Sequence, residues 1–160
     1  MSDCTITTVG EGDLDDLLPL MRAYCDFYEV APPDAGLLAL SRALIADPQH
    51  EGLQLIARDA TGRAVGFATI FWTWQTLETG RTGVMNDLYV DPQARGTGLA
   101  DELIGVCADR ARDHGAGTLV WETALDNHRA QKVYDRVGGQ ASMWISYELP
   151  TAPSSSAQPE

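Results

Sequence analysis

Apolar and polar residues alternate in "CTITTV" near the start of the chain and predict a short strand. The period then changes. In "GDLDDLLPLMRAYCDFY", Leu14, Leu17, Leu18, Met21 and Tyr28 recur at helical spacing. Pro32 and Pro33 break that helix, and "PDAGLLALSRALIADP" predicts a second one that Pro48 closes. "GLQLIARDATGRAVGFATIFWTW" reads as two apolar runs around Asp59, Ala60, Thr61 and Gly62, a hairpin signal, with Gly66 a possible bulge. "QTLETGRTG" is polar and predicts a loop, and "VMNDLYV" predicts the next strand.

Beyond that strand, "LADELIGVCADRARDH" sets Leu99, Leu103, Val106 and Cys107 on one helical face and meets a stop at Gly115. "GTLVWET" predicts a buried strand, "DNHRAQKVYDRVGG" a helix capped by Asn127, and "MWISYEL" a last strand. The order β, α, α, β, β, β, α, β, α, β describes one mixed α/β domain over residues 1–149. Residues 150–160, rich in Pro, Ser, Ala and Thr, predict a mobile tail.

Composition narrows the classes of partner. With 160 residues and 44% hydrophobic content the chain suits one compact core, and a net charge of −12 argues against phosphate neutralisation on a nucleic acid. Cationic partners fit that charge better. No basic stretch precedes an apolar one at the start, and no apolar window is long enough to span a membrane, so a cytoplasmic protein is expected. Cys4, Cys25 and Cys107 lack metal-ligand or CxxC spacing, and His50, His114 and His128 likewise suggest no metal. At the end of its helix His114 sits where the dipole favours a cation.

"DPQARGTGLADELI" carries the most specific chemistry. A helix start exposes unpartnered N–H groups at the positive end of the peptide dipoles; Gly96 and Gly98 allow close approach, and Arg95 adds a charged fork. Its expected guest is a phosphate or pyrophosphate. The GxxxxGK[ST] loop is absent, and the dinucleotide pattern GxGxx(G/A) fails because Asp101 stands at its third small position.

"QARGTG", between "DLYV" and a helix, resembles the (Q/R)xxGx(G/A) signature of the GNAT family of N-acetyltransferases. "NHRAQKVY" resembles the second motif of that family, an Asn opening a helix with Tyr seven residues on. The resemblance spans residues 5–149 and implies a mixed, mostly antiparallel central sheet with flanking helices, acetyl-CoA as cosubstrate and no metal. It further implies that backbone groups of Leu88, Tyr89 and Val90 pair with the pantetheine arm, while Arg95, Gly96, Thr97, Gly98, Leu99 and Ala100 hold the pyrophosphate. Tyr134 would protonate the departing thiolate, or else be a core aromatic. Asn127 would cap its helix, contact the cofactor chain, or do both.

The base stays open between Asp87 and a water chain ending at Asp87 or Glu122. Asn86 stands where diamine-acetylating members carry an acid. Within the family the motifs are most similar to the branch acting on polyamines, other small amines and basic protein tails. The expected acceptor is therefore a small cationic amine or basic peptide, met by loops at residues 27–35 and 75–83, and a homodimer is possible. A non-catalytic acyl-CoA-binding sensor is the alternative. Trp72 and Trp74 read as packing residues or as a cation cage.

Overall fold

The computed structural model describes residues 2–151. Apart from its first two residues, the predicted tail lies outside the described residues. Strand β1 (Thr5–Thr8) leads through a 3-10 turn into helix α1 (Leu14–Phe27) and then helix α2 (Asp34–Ala46). Strands β2 (Gly52–Arg58), β3 (Ala64–Gln75) and β4 (Gly80–Val90) follow, then α3 (Leu99–Asp113), β5 (Ala116–Val120) and α4 (His128–Arg136). The sheet order is β1-β2-β3-β4-β5, antiparallel except for the parallel β4–β5 pair.

Period-two alternation in the central strands divides the core between the two faces of the sheet. On one face Leu55, Ala57, Val65, Ala68, Ile70 and Met85 pack beneath Leu99, Leu103 and Cys107 of α3. On the other, Ile56 and Phe67 meet Leu14, Leu17, Leu20 and Met21 of α1. The hairpin turn is as predicted, with Gly62 at φ +85° and the Asp59 carboxylate accepting from the N–H groups of Thr61 and Arg63. A bulge falls beside Gly66, where a Cβ would come within 2.9 Å of the Tyr89 carbonyl.

Four expectations are corrected. The loop predicted over residues 75–83 shrinks to residues 76–79, because β3 and β4 continue as an exposed hairpin on which Arg81 lies 4.5 Å over the ring of its cross-strand partner Trp74. Strand β5, expected to be buried, is an edge strand in which only Ala116 is buried. Residues 143–149, expected as a strand, form none: they are exposed and pair with no strand of the sheet, whose order ends at β5. His114 does cap the end of α3, but its ring stacks 4.1 Å from Trp72, and burial, then Arg81 and His50, lower its pKa, against the cation that the dipole favours. Trp72 is itself core, donating from Nε1 to the Pro48 carbonyl at 2.9 Å, while Trp74 is exposed.

Candidate active site

The site begins with a mismatch of strand lengths. β5 has five residues and pairs with β4 only from Arg81 to Val84, so the rest of that edge of β4 is open. Asp91 donates its N–H to Val65 across the sheet at 2.8 Å, so strand alternation turns the main-chain groups of Leu88 and Val90 away from β3 and toward the open edge. Tyr89 instead faces Phe67 in the β3 ladder. The main-chain groups of Leu88 and the N–H of Val90 thus have no strand partner among the described residues in the gap where β4 and β5 part.

At the far end of that edge, a 3-10 turn at Pro92–Ala94 is capped by the Asp91 carboxylate, which accepts from the N–H of Gln93 at 2.8 Å. Gly96 and Gly98 then take φ +80° and +92°, left-handed values that L side chains adopt at a cost, and start α3. Among the described residues no acceptor meets the N–H groups of Gly96, Thr97, Gly98, Leu99 or Ala100; the first α3 bond runs from Glu102 to Gly98 at 3.1 Å. Arg95 donates from Nε to the Val90 carbonyl at 3.0 Å, which holds the guanidinium at the mouth of the gap with its terminal nitrogens turned to solvent. Space around Gly96 is free, with nothing within 4 Å of a Cβ built there. These groups fit a phosphorylated, amide-bearing chain: strand-like partners in the gap, then five N–H groups and a guanidinium for its anionic end.

Asp87 projects from β4 on the α1 face of the sheet. Burial raises its pKa, opposed by the neighbouring hydroxyls of Thr69 and Tyr24 and by Asn86, whose Nδ2 donates to Asp87 Oδ1 at 3.0 Å; the Tyr24 hydroxyl itself donates to the Asn86 carbonyl at 3.4 Å. Behind Thr69 stands buried Gln54, donating from Nε2 to Thr69 Oγ1 at 3.1 Å. Tyr24, whose phenol pKa is raised by burial and then by Asp87, packs edge-on against Tyr28 at 5.0 Å and Phe67 at 5.9 Å. Tyr134 is packed edge-on against Trp121 at 5.4 Å, and burial, with Tyr28 nearby, raises its pKa. Tyr28, packed on Tyr24, is thus near enough to Tyr134 to add to the rise in its pKa.

Asn127 caps α4, its Oδ1 accepting from the N–H of Ala130 at 3.2 Å, as its position predicts. Glu122 lies beyond the end of β5, exposed, and no hydrogen bond or ion pair among the described residues joins it to Asp87 or Tyr134. Sequence reasoning missed Tyr24, Thr69 and Gln54. The signal for the last two is a polar residue in the middle of an otherwise apolar strand run, "GLQLIA" and "GFATIF". Among the described residues no group of His, Cys, Asp and Glu could hold a metal ion, and no helix is long and apolar enough to cross a membrane.

Residues 17–139 match the sequence profile of the acetyltransferase (GNAT) family. The chain belongs to that family. Among its relatives, the uncharacterized N-acetyltransferase YhfO of Bacillus subtilis is 31% identical over 79% of this chain and 83% of its own length. The D-amino-acid N-acetyltransferase HPA3 of Saccharomyces cerevisiae is 33% identical over 74% of this chain and 73% of its own. A crystal structure of a probable acetyltransferase superposes with a TM-score of 0.80 at 26% identity, covering 93% of this chain and 99% of that one. This GNAT protein is accordingly an acetyl-CoA-dependent N-acetyltransferase, and the reading as a non-catalytic sensor falls away.

Proposed function

We propose that the enzyme acetylates a primary amine on a cationic small molecule, such as a polyamine or an aminoglycoside, or on a basic peptide tail, and that Tyr134 is its general acid. The observation that carries this reading is the partly buried carboxylate of Asp87 among the phenols of Tyr24 and Tyr28, on the side of the gap facing α1. A carboxylate and aromatic faces together suit an ammonium group. Asp26, which after burial and Asp87 also raises the Cys25 pKa, adds a second negative charge at the same end of α1. Two named relatives act on amines: HPA3 on D-amino acids, and the thialysine N-epsilon-acetyltransferase of Bos taurus, 27% identical over 88% of this chain and 86% of its own length.

In the proposed reaction acetyl-CoA supplies the activated acetyl group. Leu88 and Val90 hold its pantetheine amides as an added strand, with Tyr89 fixing that strand from the β3 side, and the turn from Arg95 to Ala100 binds the pyrophosphate. Asn127 keeps the start of α4 fixed and is available to the cofactor chain. Asp87 orients the ammonium and relays one of its protons through water, and the neutral amine attacks the acetyl carbonyl. The tetrahedral intermediate gives up its remaining ammonium proton to the water relay, the C–S bond breaks, Tyr134 gives its phenolic proton to the thiolate, and the phenolate is reprotonated through water. Burial keeps that phenol protonated at neutral pH, and a thiolate requires little acid strength to accept from it. Exposed Glu122 is the weaker candidate for the end of the relay. No metal enters this scheme, and the proposed setting is a cytoplasmic homodimer whose three cysteines are free thiols.

The test is thiol release from acetyl-CoA across polyamines, aminoglycosides, amino acids and basic peptides, with Tyr134→Phe alongside. Cationic amines should give the highest kcat/KM. The variant should lose about 10²- to 10⁴-fold in kcat, the usual range for a positioned acid, while its Kd for acetyl-CoA stays unchanged. A variant with unaltered kcat would remove Tyr134 from the chemistry, and preference for neutral amines would overturn the acceptor class.

A further inference from the structure

Strands β2, β3 and β4 set three polar side chains in one row. Gln54 stands opposite Thr69 in the β2–β3 register, and Thr69 stands opposite Asp87 in the β3–β4 register. Directly paired residues share a face of the sheet, so all three project toward α1. Gln54 is 2% exposed and Thr69 fully buried, beside Ile56 and Phe67 of the core beneath that helix. A polar pair so deep in an apolar layer destabilises the fold unless its groups are hydrogen-bonded. Here they are so only in part: Gln54 Nε2 donates to Thr69 Oγ1 at 3.1 Å, while Gln54 Oε1 is buried with no hydrogen-bond partner among the described residues. A leucine or methionine would fill the same space without that unpaired acceptor. The reason for an amide here therefore lies in what its nitrogen does.

That nitrogen sets the direction of the next hydrogen bond. Met21 Sδ lies 3.9 Å from Nε2, and a thioether only accepts, so the end of the amide that faces both Met21 and Thr69 is its NH2 group. Thr69 Oγ1 is then the acceptor toward Gln54, and its own hydrogen must turn elsewhere. Across the strand stands Asp87, close enough for the Thr69 hydroxyl to oppose the effect of burial on its carboxyl.

We propose that Gln54 is a positioning residue for the acetyl transfer: by occupying the Thr69 oxygen it aims the Thr69 hydroxyl hydrogen at Asp87, and so fixes the charge and orientation of that carboxylate, an inference that rests on the role of Asp87 proposed above. Gln54 touches neither substrate and acts only through Thr69. The other groups around Asp87 leave its titration distinct. Helix α1 brings Tyr24 and Cys25, whose pKa values are raised first by burial, with Tyr28 and Asp26 beside them. Tyr134 of α4 lies near Tyr28, its pKa raised likewise. Strand β4 adds Asn86, and β3 and β2 bring Thr69 and Gln54, none of which ionises. The Tyr24 and Tyr134 phenols and the Cys25 thiol stay neutral in acid, which leaves Asp26 as the carboxyl to be told apart from Asp87.

The experiment follows the Asp87 carboxyl by carbon-13 NMR through a pH titration of the full chain, its signal assigned by loss in Asp87→Asn. Parent, Gln54→Met, Thr69→Val and the double variant are compared, beside pH profiles of kcat/KM with the best acceptor from the panel above. Methionine matches glutamine in length and removes the unpaired acceptor, so Gln54→Met should keep the fold, and Thr69→Val reads the same link from its other end. A lost donor to the charged form raises a carboxyl pKa. Each single change should therefore raise the Asp87 midpoint by about one pH unit, and the double change no further than Thr69→Val alone. The acid limb of kcat/KM should move up equally, with its plateau and the Kd for acetyl-CoA unchanged. Thr69→Ser, which retains the hydroxyl, should retain the parent's midpoint. A purely structural role would lower the plateau and leave the midpoint in place. An Asp87 midpoint unmoved by Gln54→Met, or moved as far in the Thr69→Val background as in the parent, would overturn the inference. A shifted midpoint with an acid limb that survives in Asp87→Asn would instead overturn the role of Asp87 in the reaction, and the inference with it.

Discussion

Asp87 shows how a single side chain can be costly to the fold and useful to the site. Its carboxyl pKa is raised chiefly by burial, so the folded protein favours the protonated form more than the unfolded chain does. The stabilising contribution of that proton is therefore fully present below the ordinary value of 3.8 and is lost as pH rises through the elevated folded value. Asp87→Asn removes this loss while keeping the shape. Thermal melting across a pH series should find the variant more stable than the parent at neutral pH, with the gap closing in acid, while kcat/KM for a cationic amine falls. A variant that melts lower at neutral pH would mean that the hydroxyls of Thr69 and Tyr24 outweigh the desolvation.

At the scale of elements, the site exists because β5 is too short to follow β4 to its end. The glycine turn, the start of α3 and the cap of α4 are legible in the sequence because each rests on a local rule: left-handed glycines, a helix N-terminus, an Asn that accepts from a backbone N–H. The splay and the Gln54, Thr69 and Asp87 chain are not, since they join residues distant in sequence through sheet register. Residues 143–149 depart from expectation for a related reason: alternation specifies a strand-like pattern but not that a sheet edge pairs with it.

Helix α4 itself has no fully buried residue, and a bidentate pair from Arg136 to Asp101 at 2.6 and 2.7 Å ties it to the first turn of α3. That pair links the helix bearing Tyr134 to the helix whose start is the proposed pyrophosphate site. Arg136→Ala should lower kcat a few-fold with a small drop in melting temperature, and Arg136→Lys, lacking the planar fork, should restore only part of the rate. Unchanged steady-state kinetics in both variants would show that packing of Val133 and Val137 suffices to position the helix.

Over the whole molecule, 23 acidic residues against 11 Lys and Arg leave a field that disfavours one substrate and favours the other. A polyanionic cosubstrate must approach a protein of net charge −12, so in the proposed site its binding relies on the short-range donors of the turn and on Arg95. The proposed cationic acceptor would instead be drawn in by the long-range field. Screening acts on these two in opposite directions: the Debye length falls from about 30 Å at 0.01 M salt to about 3 Å at 1 M, shortening the reach of the net charge while leaving contact hydrogen bonds largely intact. Raising salt should therefore increase KM several-fold for a multiply charged amine, leave KM for a zwitterionic amino acid nearly level, and hold or lower KM for acetyl-CoA. Steady-state kinetics for the three at matched pH decide it. Equal salt dependence for cationic and zwitterionic amines would mean that the acidic surface plays no part in choosing the acceptor, and that selection rests on the contacts around Asp87 alone.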